Sequence, residues 1–140
     1  MGRKIGIDYG KARIGLAIES PAFSFALPHT TIPNDKDINI TIQKLLEALK
    51  NVQEIDSFII GLPLLLNGKD SPLSLEVKEF AKGLQERINK PIIFWDERLT
   101  SKQVDKTLIG HRVKRKKRDS LSDSLAAAVI LQSYLDSLPK

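Results

Sequence analysis

Residues 4–20, KIGIDYGKARIGLAIES, place one aspartate between two apolar runs. Residues 3–9 carry Ile5 and Ile7 on alternate positions and predict a β-strand. Residues 13–19, RIGLAIE, predict its hairpin partner across a glycine-containing turn. Asp8 therefore falls on the most sheet-like part of the chain, where burying a carboxylate costs free energy. Two readings are open. Asp and Gly favour turns, or a carboxylate held on a rigid strand serves to hold a metal ion.

Working outward, Pro21 and Pro28 bracket a third extended piece around AFSFALPHTTI. A helix then opens at Asp35 or Asp37, with Ile42, Leu45, Leu46 and Leu49 inward and Lys44, Glu47 and Lys50 outward. SFIIGLPLLL (57–66) contains the continuous apolar run Phe58–Ile60, the mark of a strand covered on both faces, which Gly61 and Pro63 end. After the polar turn NGKDSP (67–72), a second helix runs from about Pro72 to Asn89. Leu73, Val77, Phe80, Ala81, Leu84 and Ile88 line one face, and Gly83 weakens it. PIIFW (91–95) predicts another buried strand, with Phe94 and Trp95 in the core, and it ends in DERLTS (96–101). A short helix with Val104 and Leu108 inward, a basic loop, and a last helix from Ser120 or Ser122 complete the chain.

This order predicts an α/β domain spanning residues 1–140: a mixed central five-stranded sheet, three antiparallel strands then parallel ones, with helices on both faces. Composition fits, at 41% hydrophobic and 28% charged. No apolar run approaches the roughly 20 residues that cross a bilayer, and a strand begins almost at once, so no membrane partner and a cytoplasmic location are expected. The absence of cysteine excludes disulfides and thiolate metal sites, and two histidines, His29 and His111, offer little for zinc.

The net charge is +5, yet HRVKRKKR (111–118) alone holds Arg112, Lys114, Arg115, Lys116, Lys117 and Arg118. Without those six, 16 basic residues face 17 acidic ones. Such a cluster is either a solvated loop or a contact with a polyanion, because clustered Lys and Arg displace counterions from phosphate.

Acidic residues interrupt apolar elements at three places: Asp8 on the first strand, Asp96 and Glu97 at the end of IIFW, and Asp123 at the start of the last helix. Each has a plain explanation, as a turn residue, a strand-end ion pair with Arg98, or a helix-dipole partner. Together they suggest more. Ala126, Ala127 and Ala128 let the last helix approach the sheet, which brings Asp123 toward the strand ends. Carboxylates that converge repel one another unless a cation neutralises them, and Mg²⁺ or Mn²⁺ suits an all-oxygen set. Two such ions about 4 Å apart stabilise the attacking and leaving oxygens of a phosphoryl displacement by water. Strand alternation admits only one of Asp96 and Glu97 to such a site, and leaves open which.

GIDYGKARIGLAI, IIGLPLLLNG, DERLTS and SDSLAAAVILQSYL occur in this order over nearly the whole chain. The chain thereby resembles the YqgF-type family, also called RuvX: Holliday-junction-resolvase-like proteins named for cleavage of precursor 16S ribosomal RNA. The resemblance implies a ribonuclease-H-like fold and a two-magnesium acidic site made of Asp8, Glu97 and Asp123, which favours Glu97 over Asp96. It also implies a setting, the 5′-end maturation of precursor small-subunit RNA in ribosome biogenesis. The family is more polar after GLP than LLLNGKDSP is here, and it assigns no role to Asp119.

Among supporting residues, Arg13 either steadies a phosphate or pairs with an acid, and Gly10 and Gly15 serve a tight turn. Gly61 and Pro63 end a strand or meet nucleic acid through backbone amides. Arg98 and Thr100 orient metal ligands, Arg98 with a further contact to nucleic acid, and His111 belongs to the basic surface. Three rivals remain. DYGKARIG resembles the phosphate hairpin of actin-, Hsp70- and hexokinase-type ATPases, which need a second lobe that 140 residues cannot hold. A nucleic-acid-binding protein without catalysis would not need all three carboxylates. A resolvase of four-way DNA junctions shares the chemistry, and its two paired cuts would favour a homodimer over a monomer.

Overall fold

The structure, a computed structural model, describes residues 2–22, 24–99 and 115–139, with side chains in the last segment described from 123 onward. Thr100, the short helix expected around Val104 and Leu108, and His111, Arg112 and Lys114 lie outside the described residues, as do the side chains of Arg115, Lys116, Lys117 and Arg118.

The opening hairpin forms at its expected bounds, β1 (Arg3–Tyr9) and β2 (Arg13–Glu19). β3 (Ala26–Pro33) joins β2 antiparallel, while β4 (Ile55–Leu62) and β5 (Ile92–Asp96) add in parallel, in the order β3-β2-β1-β4-β5. This is the mixed five-stranded sheet the sequence predicts. Pro28 is tolerated because β3 is an edge strand with one side free of ladder bonds.

Helix α1 (Ile38–Ala48) starts at Asp37, whose side chain accepts the Asn39 N–H at 2.9 Å. Helix α2 (Pro72–Arg87) has the fuller start: Ser71 and Ser74 cap each other's backbone, and Pro72 sits in the first turn, where its missing N–H costs nothing. Gly83 has a packing reason. A Cβ there would stand 3.0 Å from Ile42 Cδ1, so the glycine brings α1 and α2 together.

Alternation sorts the sheet into two unlike faces. Ile5, Ile7, Ile14, Leu16, Phe58 and Ile60 turn toward α1 and α2 and join Ile42, Leu45, Val77, Phe80 and Leu84 in the main core. The other face is made largely of small residues, with Ala17 and Ile59 under Ala127, Ile130 and Leu131 of the last helix, α3 (Arg115–Ser137). Helices thus cover both faces, as expected.

Two expectations change. The last helix is helical from Arg115, not from Ser120 or Ser122, so the backbone of Arg115–Arg118 is helix and not loop. Lys and Arg are good helix formers, and a serine is a start signal only where the preceding residues do not propagate the helix. Asp123 consequently lies about two turns inside α3 and not in its first turn. Phe94, expected in the core, is 40% exposed at the sheet margin, because β5 is the other edge strand.

Candidate active site

Asp8 lies near the C-terminal end of β1, the central strand, on the α3 face. Its neighbours across the ladder decide what can reach it. On β2 the residue in register with Asp8 is Gly15. A Cβ on Gly15 would overlap the backbone carbonyl of Asp123, so the helix backbone rests directly on the sheet there. Gly6 repeats the device two residues earlier, where a Cβ would come within 2.6 Å of the Ala127 carbonyl oxygen. On β4, beside the end of β1, stands Gly61. A Cβ there would lie 2.8 Å from Glu97 Cγ and 2.6 Å from Ile130 Cδ1. Glu97 opens the 3₁₀ turn Glu97–Leu99 that directly follows β5, and its stem crosses β4 through the space Gly61 leaves. Glycines on both flanking strands thus open Asp8 to one acid from α3 and one from the end of β5. Gly15 was expected in a turn and Gly61 at a strand end; both are strand-interior residues under a close approach. Gly10 does make the turn, its N–H donating to the Arg13 carbonyl at 2.9 Å.

The electrostatics show that the three acids meet at Asp8. Burial and then the nearby negative charge of Asp123 push the Asp8 carboxyl up to about 6, while a hydrogen bond with Glu97 pulls it back. Glu97 is pushed up to about 8, first by burial and then by Asp8. The two act as one unit sharing a proton, with Glu97 the protonated donor and Asp8 the acceptor.

Asp96 and Glu97 part ways at this point. Arg98 forks onto Asp96, with Nε and Nη2 contacts of 2.6–3.0 Å, and holds that carboxyl below its ordinary value. The same guanidinium donates from Nη1 to the Leu66 carbonyl at 2.9 Å, pinning the β4–α2 loop to the end of β5. Arg98 therefore braces the strand end from which Glu97 projects. Arg13 takes the acidic alternative, its Nε donating to Asp123 Oδ2 at 2.6 Å.

Among the described residues no three His, Cys, Asp or Glu side chains already form a metal-holding group. Asp8 meets Glu97 on one side and Asp123 on the other, and Asp123 is turned to Arg13. The donor chemistry nonetheless fits a hard divalent cation: three carboxylates, two of them raised first by burial and then by a neighbouring carboxylate, Asp123 for Asp8 and Asp8 for Glu97, a cost that a cation offsets. Arg13 then competes with the cation for Asp123. Arg13→Gln is expected to tighten Mg²⁺ binding by roughly fivefold, the effect of removing one partly screened positive charge, when titrated calorimetrically. Unchanged or weaker affinity would show that Arg13 does not compete.

A family model described as "RuvX: Holliday junction resolvase" matches residues 2–137. The chain belongs to the RuvX family. A RuvX relative from Protochlamydia amoebophila, named "Putative pre-16S rRNA nuclease", is 42% identical, the match covering 96% of this chain and 93% of the relative. One of the same name from Syntrophomonas wolfei is 40% identical over 96% and 94%. Among solved structures, the fowlpox virus Holliday junction resolvase aligns with a TM-score of 0.57 at 16% identity, covering 97% of this chain and 99% of that one. Thermus thermophilus RuvC aligns at 0.54 and 14%, covering 96% and 97%. These likenesses establish the ribonuclease-H-like fold for this RuvX chain; its site rests on its own residues.

Proposed function

We propose that this RuvX chain, as one domain over residues 1–140, is a divalent-metal-dependent nuclease that hydrolyses phosphodiester bonds in precursor 16S rRNA, in the cytoplasm. The observation that carries the reading is the convergence on Asp8 of Glu97 and Asp123, acids from the end of β5 and from α3. Family membership and the names of its relatives support the reaction class and the substrate. Among the described residues no helix is long and apolar enough to cross a membrane.

Asp8, Glu97 and Asp123 are the residues that would hold Mg²⁺ or Mn²⁺. Bound there, the cation supplies stabilisation of the charge that develops on the phosphate oxygens. The chain supplies the rest. Asp8 is fixed by the central strand, and Glu97 is aimed by the Asp96–Arg98 brace and the gap at Gly61. Loss of the proton between Asp8 and Glu97 readies both for a cation. Arg13, 45% exposed beside Asp123, stands where it can exchange that carboxylate for a substrate phosphate.

A second reading, cleavage of four-way DNA junctions, is favoured by the description of the family model. Purified protein with Mg²⁺ or Mn²⁺ and three labelled substrates separates the two: precursor rRNA 5′ ends, unstructured single-stranded RNA and a four-way DNA junction. Preferential cutting of the rRNA precursor is expected. Cutting of the junction alone transfers the assignment to DNA, and no cutting of any of them removes it.

Arg112, Lys114, Arg115, Lys116, Lys117 and Arg118 serve in this reading as the electrostatic contact to the nucleic-acid backbone. Neutralising the six is expected to lower RNA affinity at least tenfold at 0.1 M salt and to flatten its salt dependence. Equal affinity and slope, measured by filter binding, would return the segment to a solvated surface.

A further inference from the structure

Asp8 and Tyr9 are consecutive on β1, so their side chains leave the sheet on opposite faces. Asp8 faces the acidic site. Tyr9 forms the floor of a cleft of about 640 Å³ between the β1–β2 turn and the starts of α1 and α2. That volume lies within the usual range for small-ligand sites, roughly 300–1,000 Å³. The Tyr9 ring is held against Phe80, with centroids 5.1 Å apart, and its hydroxyl donates to Glu76 Oε2 at 3.4 Å. Pro72 and Leu75 form the α2 wall. Leu75 is 54% exposed although it borders an aromatic floor, so a flat ligand would cover apolar surface that the fold leaves in water.

Lys11 and Lys36 supply positive charge to the cleft. Lys11 rides on the turn that separates it from the Asp8 site. That turn is fixed from both sides, by Gly10 N–H on the Arg13 carbonyl and by Asn34 Nδ2 on the Gly10 carbonyl at 2.7 Å. The acids of the lining are not equivalent. Asp35 is engaged by the Asp37 N–H at 2.9 Å, and Glu76 accepts from the Tyr9 hydroxyl through Oε2 with its other oxygen placed along the α2 wall beside Glu79.

We propose that this cleft holds one nucleotide of the substrate strand adjacent to the cleaved bond, a subsite that rests on the nuclease reading above. The base lies against Pro72 and the exposed Leu75, with the largely buried Tyr9 beneath them, a sequence-tolerant apolar contact. Its exocyclic amino group donates to Glu76, as amino groups of bases do to carboxylates, while the flanking phosphate meets Lys11 and Lys36. Cytosine, adenine and guanine carry that amino group; uracil does not, and it brings a carbonyl toward the carboxylate instead. The subsite selects accordingly.

The test uses the full chain carrying Asp8→Asn, with CMP and UMP as probes and backbone amide NMR as the readout. CMP at millimolar concentration is expected to shift Tyr9, Lys11, Leu75 and Glu76, and UMP to bind several-fold more weakly. Glu76→Gln should erase that difference, a change that a purely structural Glu76 would not produce. A short single-stranded RNA should displace CMP from the same residues. With Asp8 intact, Leu75→Ser should raise KM for RNA about tenfold and leave kcat within about twofold. Absence of CMP shifts in the cleft, while RNA still binds and the unaltered protein still cleaves, overturns the subsite and leaves the nuclease reading standing. CMP shifts that RNA does not compete with also overturn it, since they mark a free-nucleotide site. Failure to bind or cleave any nucleic acid overturns the nuclease reading, and the subsite with it.

Discussion

Asp8→Asn is expected to reduce cleavage by on the order of a thousandfold or more while leaving RNA affinity within a fewfold. Asp8 is the acid that both others meet, so replacing it removes charge from the centre of the set and not from its rim. Losses of that size correspond to several kcal/mol of transition-state stabilisation. The same substitution should make the protein more stable. The Asp8 carboxyl is raised from 3.8 to about 6 and Glu97 from 4.5 to about 8, so the folded state holds protons that the unfolded chain has released. Their contribution is full below about pH 4, and it is lost as pH rises through about 6 to 8. Without added divalent cations, the melting temperature of the unaltered protein should therefore fall between pH 5 and pH 9. Asp8→Asn should remove the part of that fall that Asp8 and its charge on Glu97 contribute, a gain of about 2 kcal/mol or roughly 5–10 °C at pH 8, while the part set by burial of Glu97 remains. Mg²⁺ should raise the melting temperature of the unaltered protein more at pH 8 than at pH 5.5, because the acids must lose their protons to bind it. A variant that cleaves like its parent, or melts with the same pH profile, would remove Asp8 from the centre of the site.

The second large effect concerns a residue with no side chain. Gly15→Val places a branched Cβ where the Asp123 carbonyl lies, and main chain on both sides leaves neither partner free to yield. Destabilisation of about 4 kcal/mol or more is expected, enough to leave much of a typical domain unfolded at 37 °C. Gly15→Ala should be the informative variant. It should fold, melt lower, and lose cleavage beyond its loss of stability, because α3 must lift and carry Asp123 with it. Leu66→Ala is the control, since Leu66 is 94% exposed and its removal should shift stability by no more than about 0.5 kcal/mol. Thermal melts together with single-turnover cleavage check all three; Gly15→Val melting like its parent would mean that α3 does not rest on β2 in this way.

β1 and β2 were legible from side-chain pattern because large aliphatics on one face alternate with small or acidic residues on the other, although helices pack against both. Alternation of Ile5 and Ile7, and of Ile14, Leu16 and Ile18, set β1 and β2 to the residue. The candidate site was legible in its acids, which the fold brings toward Asp8, and less so in its glycines. Gly15 and Gly61 look like punctuation in a one-dimensional string, whereas in the fold each is a gap through which another element reaches Asp8. A helpful signal was present: Gly6, Gly15, Ala17 and Gly61 fall on the strand positions that alternate with large aliphatics, the pattern of a sheet face awaiting close contact. Asp96 against Glu97 was not decidable by alternation, because the strand ends at Asp96 and a 3₁₀ turn breaks the period at the next residue. The start of α3 was misplaced for a comparable reason, a local serine signal outweighed by the helix-forming residues before it.

The molecule also carries its own optical reporter. Its only tryptophan, Trp95, stands two residues before Glu97, and its indole Nε1 donates to Ser133 Oγ on α3 at 3.0 Å, with the Tyr134 ring set edge-on at 5.6 Å. One chromophore thus bridges the two elements that deliver Glu97 and Asp123. Any event that draws those elements together or pries them apart alters its surroundings and should be readable in the emission of the unlabelled protein.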